Sequence, residues 1–200
     1  MKRFLNILPA LLLSAVMLGI SVDFYMFAGL GSDSITVFED GIHAVFGVSM
    51  GAASYIYTLA CLAVAALIAR KYIGWTSIMF SALCGPSIDL FSRLLSPYLA
   101  NAEFMPLRVA LLCCAILLTA CSCAILIRCR SGMNLLDAIV NGVSDKLGVS
   151  YRVTRTAADA LLFITGCLMG GTYGIGSIPA VLLTGTAIDL FVKLSDRFNP

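Results

Sequence analysis

Gly85-Pro86-Ser87-Ile88-Asp89-Leu90-Phe91 returns later in the chain as Gly185-Thr186-Ala187-Ile188-Asp189-Leu190-Phe191, an offset of 100 residues (189 − 89 = 100). Outward from this stretch the likeness continues. Gly47-Val48-Ser49 is matched by Gly148-Val149-Ser150, Gly41 by Gly142, and Gly31 by Gly132, with the offset now 101 (148 − 47 = 101). One residue of slack between helices accounts for the drift. The pattern reads as one unit written twice, about 5–98 and about 106–198. Small membrane carriers are often built this way.

The composition agrees with a membrane setting. Of 200 residues, 60% are apolar and 12% charged, with mean hydropathy +0.98. An average soluble domain is ~25% charged. The apolar residues fall in runs long enough to cross a hydrocarbon layer, which takes about 20 residues as helix. Six such runs are expected, at 7–29, 50–69, 74–95, 106–127, 153–170 and 174–192. They consume most of the chain, so residues 1–200 read as a single integral membrane domain. A net charge of +2 argues against nucleic acid as a partner.

The cations fall on one side of these runs. Lys2 and Arg3, Arg70 and Lys71, Arg128 and Arg130, Lys146, Arg152 and Arg155, and Lys193 and Arg197 all fall inside if the N-terminus is cytoplasmic. The opposite loops hold Asp33, Glu39, Asp40 and Glu103, with Arg93 and Arg108 as exceptions. This predicts a multi-pass protein of a bacterial cytoplasmic membrane with both termini inside. The first apolar run is too long for a signal peptide, has no convincing small-x-small cleavage site after it and occupies a repeat position, so it reads as a retained helix. The eight cysteines lie in or beside spans, where thiols behave as small apolar groups, and predict no disulfide framework.

Within each half a long helix is followed by an amphipathic piece, 31–48 or 132–151, and then two more helices. In the first piece Ile35, Phe38, Ile42, Val45 and Phe46 recur at helical spacing, and in the second Leu135, Leu136, Ile139, Val143 and Leu147. Both are too short and polar to span, so they lie at the interface or re-enter the protein. Three crossings per half is an odd number, so the second copy sits upside down relative to the first. The expected fold is all-α, with six transmembrane helices in two inverted three-helix repeats, each carrying a short amphipathic or re-entrant helix.

The turn and helix motifs Gly132-Met133-Asn134-Leu135-Leu136-Asp137, Gly-Val-Ser, Gly174-Ile175-Gly176-Ser177 and Gly-x-x-Ile-Asp-Leu-Phe resemble the bacterial YczE/YyaS/YitT group of small integral membrane proteins. The first half departs from the pattern, with Thr36 in place of Asp137 and Gly74-Trp75-Thr76-Ser77 in place of residues 174–177. The resemblance implies the topology and leaves the activity open.

Several residues are candidates for chemistry. Asp89 and Asp189 sit late in their helices, where the helix dipole disfavours an anion. Arg93 and Lys193 follow one turn on, so the expectation is Asp89–Arg93 and Asp189–Lys193 pairs that end the helix or act as gates. Asp23 lies inside the first helix with no cation within a turn, and Asp159 lies one turn after Arg155. Such acids face the bundle interior or water, and are the candidates for a solute or ion pathway. Asp137 and Asn141, with Thr36 and Asp40 at matching places, line one side of the amphipathic pieces, as ligand contacts or as an ordinary solvated face and helix caps. Gly85-Pro86 is expected to interrupt its helix, Gly174, Gly176 and Pro179 to loosen the start of the last, and Gly185 to match Gly85 as a bend or a close-packing point. His43 has no ligand-spaced partner, and Cys121 and Cys123 point to different helix faces, so no metal or other cofactor is expected.

No phosphate loop, zincin helix, nucleophile elbow or dinucleotide fingerprint occurs, so an enzyme is not expected. The leading expectation is a small secondary carrier of an unidentified solute or ion, in a lipid bilayer, working by alternating access. A homodimer is compatible with the small halves. The alternatives are a substrate-capture subunit of a larger uptake complex and a non-transport scaffold or accessory protein.

Overall fold

Gly47 and Gly148 each close a 13-residue helix in the left-handed region, at φ 62, ψ 25 and φ 65, ψ 22. A side chain is costly in that conformation, and glycine is the usual residue there. Two residues further on, Ser49 and Ser150 introduce the next helices in extended conformation. The same Gly-Val-Ser sequence therefore makes the same corner twice. These corners belong to a computed structural model that describes residues 2–99, 104–128 and 134–198. Side chains are described for 7–99, 104–127, 134–184, 186–188, 190 and 191.

The described residues form α1 (Lys2–Ala28), α2 (Ser34–Phe46), α3 (Met50–Ile68), α4 (Trp75–Leu99), α5 (Met105–Arg128), α6 (Leu135–Leu147), α7 (Tyr151–Leu168) and α8 (Ser177–Phe198). A 3-10 turn at Arg70–Tyr72 follows α3, and no strand occurs among the described residues. The protein is all-helical. Four helices are long and apolar enough to cross a membrane, at Ile7–Ala28, Met50–Ile68, Trp75–Leu99 and Met105–Ile127. α7 carries Arg152, Arg155 and Asp159, and the apolar part of α8 is shorter, Ser177–Ile188.

Two groups of helices pack side by side. In one, α1 lies against α4 and α5, and α5 against α8. In the other, α2 packs on α3 and α7, and α6 on α3 and α7, while α3 joins the groups through α4. Exchanging α1–α4 for α5–α8 turns the α1–α4 contact into α5–α8, α2–α3 into α6–α7, and α2–α7 into α3–α6. Hydrogen bonds obey the same exchange. Ser122 Oγ donates to the Ser14 carbonyl at 2.8 Å, and Ser21 Oγ to the Ala115 carbonyl at 2.8 Å. Both residues of each bond shift by 101 (122 − 21 = 101; 115 − 14 = 101). Gly41 abuts Gly166 and Met169, and Gly142 abuts Ile68 and Ala69.

Polarity is turned inward. Thr36, Glu39 and Asp40 of α2 are buried, whereas Val45 and Phe46 are exposed. Leu161, Ile164 and Leu168 project from α7. A water-soluble helix would do the reverse.

Gly85-Pro86 does not interrupt its helix: α4 runs unbroken from Trp75 to Leu99. Proline removes the N–H that would have bonded the carbonyl four residues back. That carbonyl belongs to Ala82, and Tyr55 of α3 donates its hydroxyl to it at 2.7 Å. The Tyr55 ring lies over Gly85, where a Cβ would come within 2.5 Å of it. A partner from the neighbouring helix thus stands in for the lost bond, and no kink is needed to satisfy the backbone. Tyr55→Phe keeps the ring and deletes the hydroxyl. We expect a loss of about 1–2 kcal/mol, seen as a lower unfolding midpoint in detergent; an unchanged midpoint would mean that Ala82 finds another donor. Gly174 and Gly176 lie before α8, outside the helix, and Pro179 falls in its first turn, where a missing N–H costs nothing.

Candidate functional site

The short helices bring two groups of polar side chains together. The first surrounds Arg155 of α7. Its guanidinium pairs with Asp159 through Nε at 2.9 Å and with Asp137 of α6 through a short contact. Tyr151 donates its hydroxyl to Asp137 at 2.8 Å, and Ser34, the first residue of α2, donates to Asp159 at 2.7 Å. The starts of α2 and α6 therefore converge on one cation and its two carboxylates. Helix N-termini favour anions, so the backbone supports the acids that Arg155 neutralises. The three charged side chains keep 20–29% of their surface.

Glu39, a position that spacing alone did not single out, is buried beside this group and accepts a hydrogen bond from Ser54 of α3 at 2.8 Å. Burial pushes its carboxyl up to about 8; the Ser54 bond pulls the other way, and Asp33 adds a smaller upward push. Asp33 itself is raised, first by burial, against the hydrogen bond it accepts from Thr36 at 2.6 Å. The signal for Glu39 was present in the sequence: an acid between Val37-Phe38 and Ile42 on a helix too apolar to be solvated all round.

The second group lines a cleft of about 360 Å³ at the junction of α1, α2, α3 and α4. Its polar residues are Asp23, His43, Ser49, Asp89, Ser92 and Arg93, and its apolar walls are Met26, Phe27 and Met50. Asp89 is not held by Arg93, contrary to the spacing argument. Its two oxygens accept from Ser49 Oγ at 2.8 Å and from the Gly51 N–H at 2.9 Å. α4 continues to Leu99, so Asp89 lies within its helix and not at the end that the sequence suggested, and the start of α3 stabilises it. Arg93 faces the cleft with no ion pair among the described residues. Asp23 is 2% exposed, and its Oδ2 has no hydrogen-bond partner. His43 Nδ1 donates to the Val48 carbonyl through a short contact.

The remaining candidates separate from these groups. Asp40 accepts the Thr172 N–H at 2.6 Å, clasping α2 to the segment after α7. Asp145 of α6 takes the corresponding role for the segment after α3, bonded by Tyr72 Oη at 2.6 Å and Lys71 Nζ at 2.6 Å. Asn141 turns back on its own helix and donates to the Asp137 carbonyl at 2.9 Å. Gly174 and Gly176 lie against Leu30, whose carbonyl accepts the Gly176 N–H at 2.8 Å. Arg108, an exception to the charge pattern, caps the end of α1 by donating to the Ala28 and Gly29 carbonyls at 2.5 and 3.1 Å. The side chains of Asp189 and Lys193, and the surroundings of Gly185, lie outside the described residues, as do Gly132 and Met133 of the repeat motif. Among the described residues no cluster of His, Cys, Asp and Glu could hold a metal ion, and the described cysteines are free.

Comparison with known proteins gives a family without a function. The profile of a family of unknown function (DUF6198) matches residues 5–193. An uncharacterized protein of Haemophilus influenzae is 23% identical over 187 residues, covering 94% of this chain and 84% of that protein. No solved structure matches.

Proposed function

We propose that this chain, which belongs to the DUF6198 family, is a small secondary membrane carrier that moves an unidentified solute by rocking one half against the other. The observation that carries this reading is the convergence of α2 and α6 on the Arg155 cluster. Ser34 meets the middle of α7 at Asp159, and Asp40 meets Thr172 beyond its end. α2 therefore runs alongside the second half of α7. α6 likewise runs along the second half of α3, from Leu135 beside Tyr57 to Gly142 at Ala69. Two half-length helices that begin at a shared polar centre and leave towards opposite faces are the re-entrant elements of an inverted-repeat carrier.

In this reading α7 and α8 are the fifth and sixth spans. Arg155 and Asp159 of α7 face Asp137 and Ser34, and its apolar face meets lipid. The exchange-related bonds across α1 and α5 are the seam between the halves. Asp40–Thr172 and Asp145–Tyr72 are the closures at the two faces. The termini lie in the cytoplasm, the bilayer is the bacterial inner membrane, and the resemblance to the YczE/YyaS/YitT group belongs to the same proposal.

Reconstitution tests it. The purified chain in liposomes on a solid-supported membrane should give transient currents, or labelled-solute accumulation, with a panel of small amines, amino acids and organic acids. An impermeant maleimide should label a cysteine placed at Ala44 and one placed at Ser144 from opposite sides. Labelling of both from one side, or no solute movement by the chain alone, would sink the carrier.

A further inference from the structure

The cleft beside Asp23 holds the same charged groups as the Arg155 centre, one guanidinium and two carboxyls, but differs in how they are paired. Around Arg155 each charge has a partner. In the cleft, Asp23, Asp89 and Arg93 line one space, and no ion pair joins them among the described residues. Asp89 is already engaged at both oxygens by the start of α3. Asp23 lines the cleft nearly fully buried, and its Oδ2 is without a partner. An unpaired buried carboxylate oxygen is costly unless something supplies a proton donor. Arg93 lines the same cleft, yet no ion pair joins it to Asp23 among the described residues.

The walls narrow the class of ligand. Phe27 offers an aromatic surface of the kind that attracts cations. Met26 and Met50 offer pliable apolar surface for a short carbon body. The volume, about 360 Å³, lies at the low end for ligand pockets. A bare metal cation would need several oxygen ligands, and here the Ser49 hydroxyl and both Asp89 oxygens are already bonded.

We propose that this cleft binds a small solute through an ammonium head, with Asp23 as its counter-ion and Phe27 and the two methionines around its carbon body. The site stands on its own geometry and rests on the carrier reading only for the movement of the solute once bound.

The test uses the full chain in detergent. Its thermal unfolding midpoint is followed against methylammonium chloride, with sodium chloride and tetramethylammonium chloride at equal ionic strength as comparisons. Methylammonium should raise the midpoint saturably by a few degrees. Tetramethylammonium, which has no N–H to give Oδ2, and sodium should do less. Asp23→Asn should abolish the rise, while Arg152→Gln, at an exposed residue of α7, should keep it. Should Asp23→Asn not fold, the wild-type chain is treated with dicyclohexylcarbodiimide and the modified carboxyls are mapped by mass spectrometry; methylammonium should protect Asp23. No saturable rise, an equal rise with sodium, an equal rise in Asp23→Asn, or labelling of Asp23 that methylammonium does not alter would each overturn the proposal. Binding at Asp23 without solute movement would leave this site standing and remove the carrier. Solute movement without binding at Asp23 would do the reverse.

Discussion

Arg155→Met should be the most damaging single change to the polar centre. It leaves Asp137 and Asp159 facing each other without their shared cation. Breaking a buried pair by removing one partner typically costs about 3–5 kcal/mol. Arg155 keeps 29% of its side-chain surface, so screening holds the loss near the lower end, about 3 kcal/mol. Solute movement should vanish as well, because α2 and α6 both begin at this point. The control is the triple variant Arg155→Met, Asp137→Asn, Asp159→Asn, which removes the stranded charges together. It should recover most of the stability and none of the transport. Were the single and triple variants equally unstable, loss of packing and not of charge would be the cause. Arg155→Lys should fall between, since a lysine cannot present the two-pronged fork that meets two carboxylates at once.

The second large effect is expected at Gly166. A Cβ there would lie 2.7 Å from the backbone of Phe38, so any side chain drives α7 away from α2. The contact is backbone on backbone and has no flexible end to give way. Overpacking of this kind costs about 1–3 kcal/mol for a modest insertion. We expect Gly166→Ala at the top of that range and Gly166→Val to yield no folded protein in detergent. Gly148→Ala calibrates the measurement. It also forces a left-handed residue to carry a Cβ, but nothing lies within 4 Å of it, so its cost is conformational alone, about 1 kcal/mol. Gly166 has ordinary helical backbone, where Gly→Ala without a clash would stabilise by about 1 kcal/mol, so a gain of that size at Gly166 would mean that the approach of α2 to α7 contributes nothing.

These two predictions mark where the sequence could and could not be read. Local rules place the helices: apolar runs, and the corners at Gly47-Val48-Ser49 and Gly148-Val149-Ser150, lie within a few residues of the observed elements. Asp159 sits one turn from Arg155, so that pair is legible from spacing. Asp137 is not, since its bond to Arg155 depends on how α6 folds back along α3 and α7. Asp89 fails for the same reason. Spacing offers Arg93, but packing offers the Ser49 hydroxyl and the open Gly51 N–H at the start of α3, and the carboxylate takes those. Gly85-Pro86 predicts a break from local chemistry alone, and a tyrosine from another helix removes the need for it. Asp23 and the Asp89–Arg93 pair come from two separate arguments about the sequence, and only tertiary structure gathers them into one cleft.

The hydroxyls of α1 carry a consequence for how the protein is made. Ser14 and Ser21 find their partners on α5, 108 and 94 residues downstream. A ribosome delivers α1 to the bilayer well before those acceptors exist. Until then the hydroxyls face lipid or borrow carbonyls from their own helix turn. The first helix is therefore seated provisionally and is locked only when the fifth arrives. A nascent chain that stalls between α4 and α5 carries an unfinished polar stripe in hydrocarbon, the kind of defect by which membrane quality control recognises an incomplete protein.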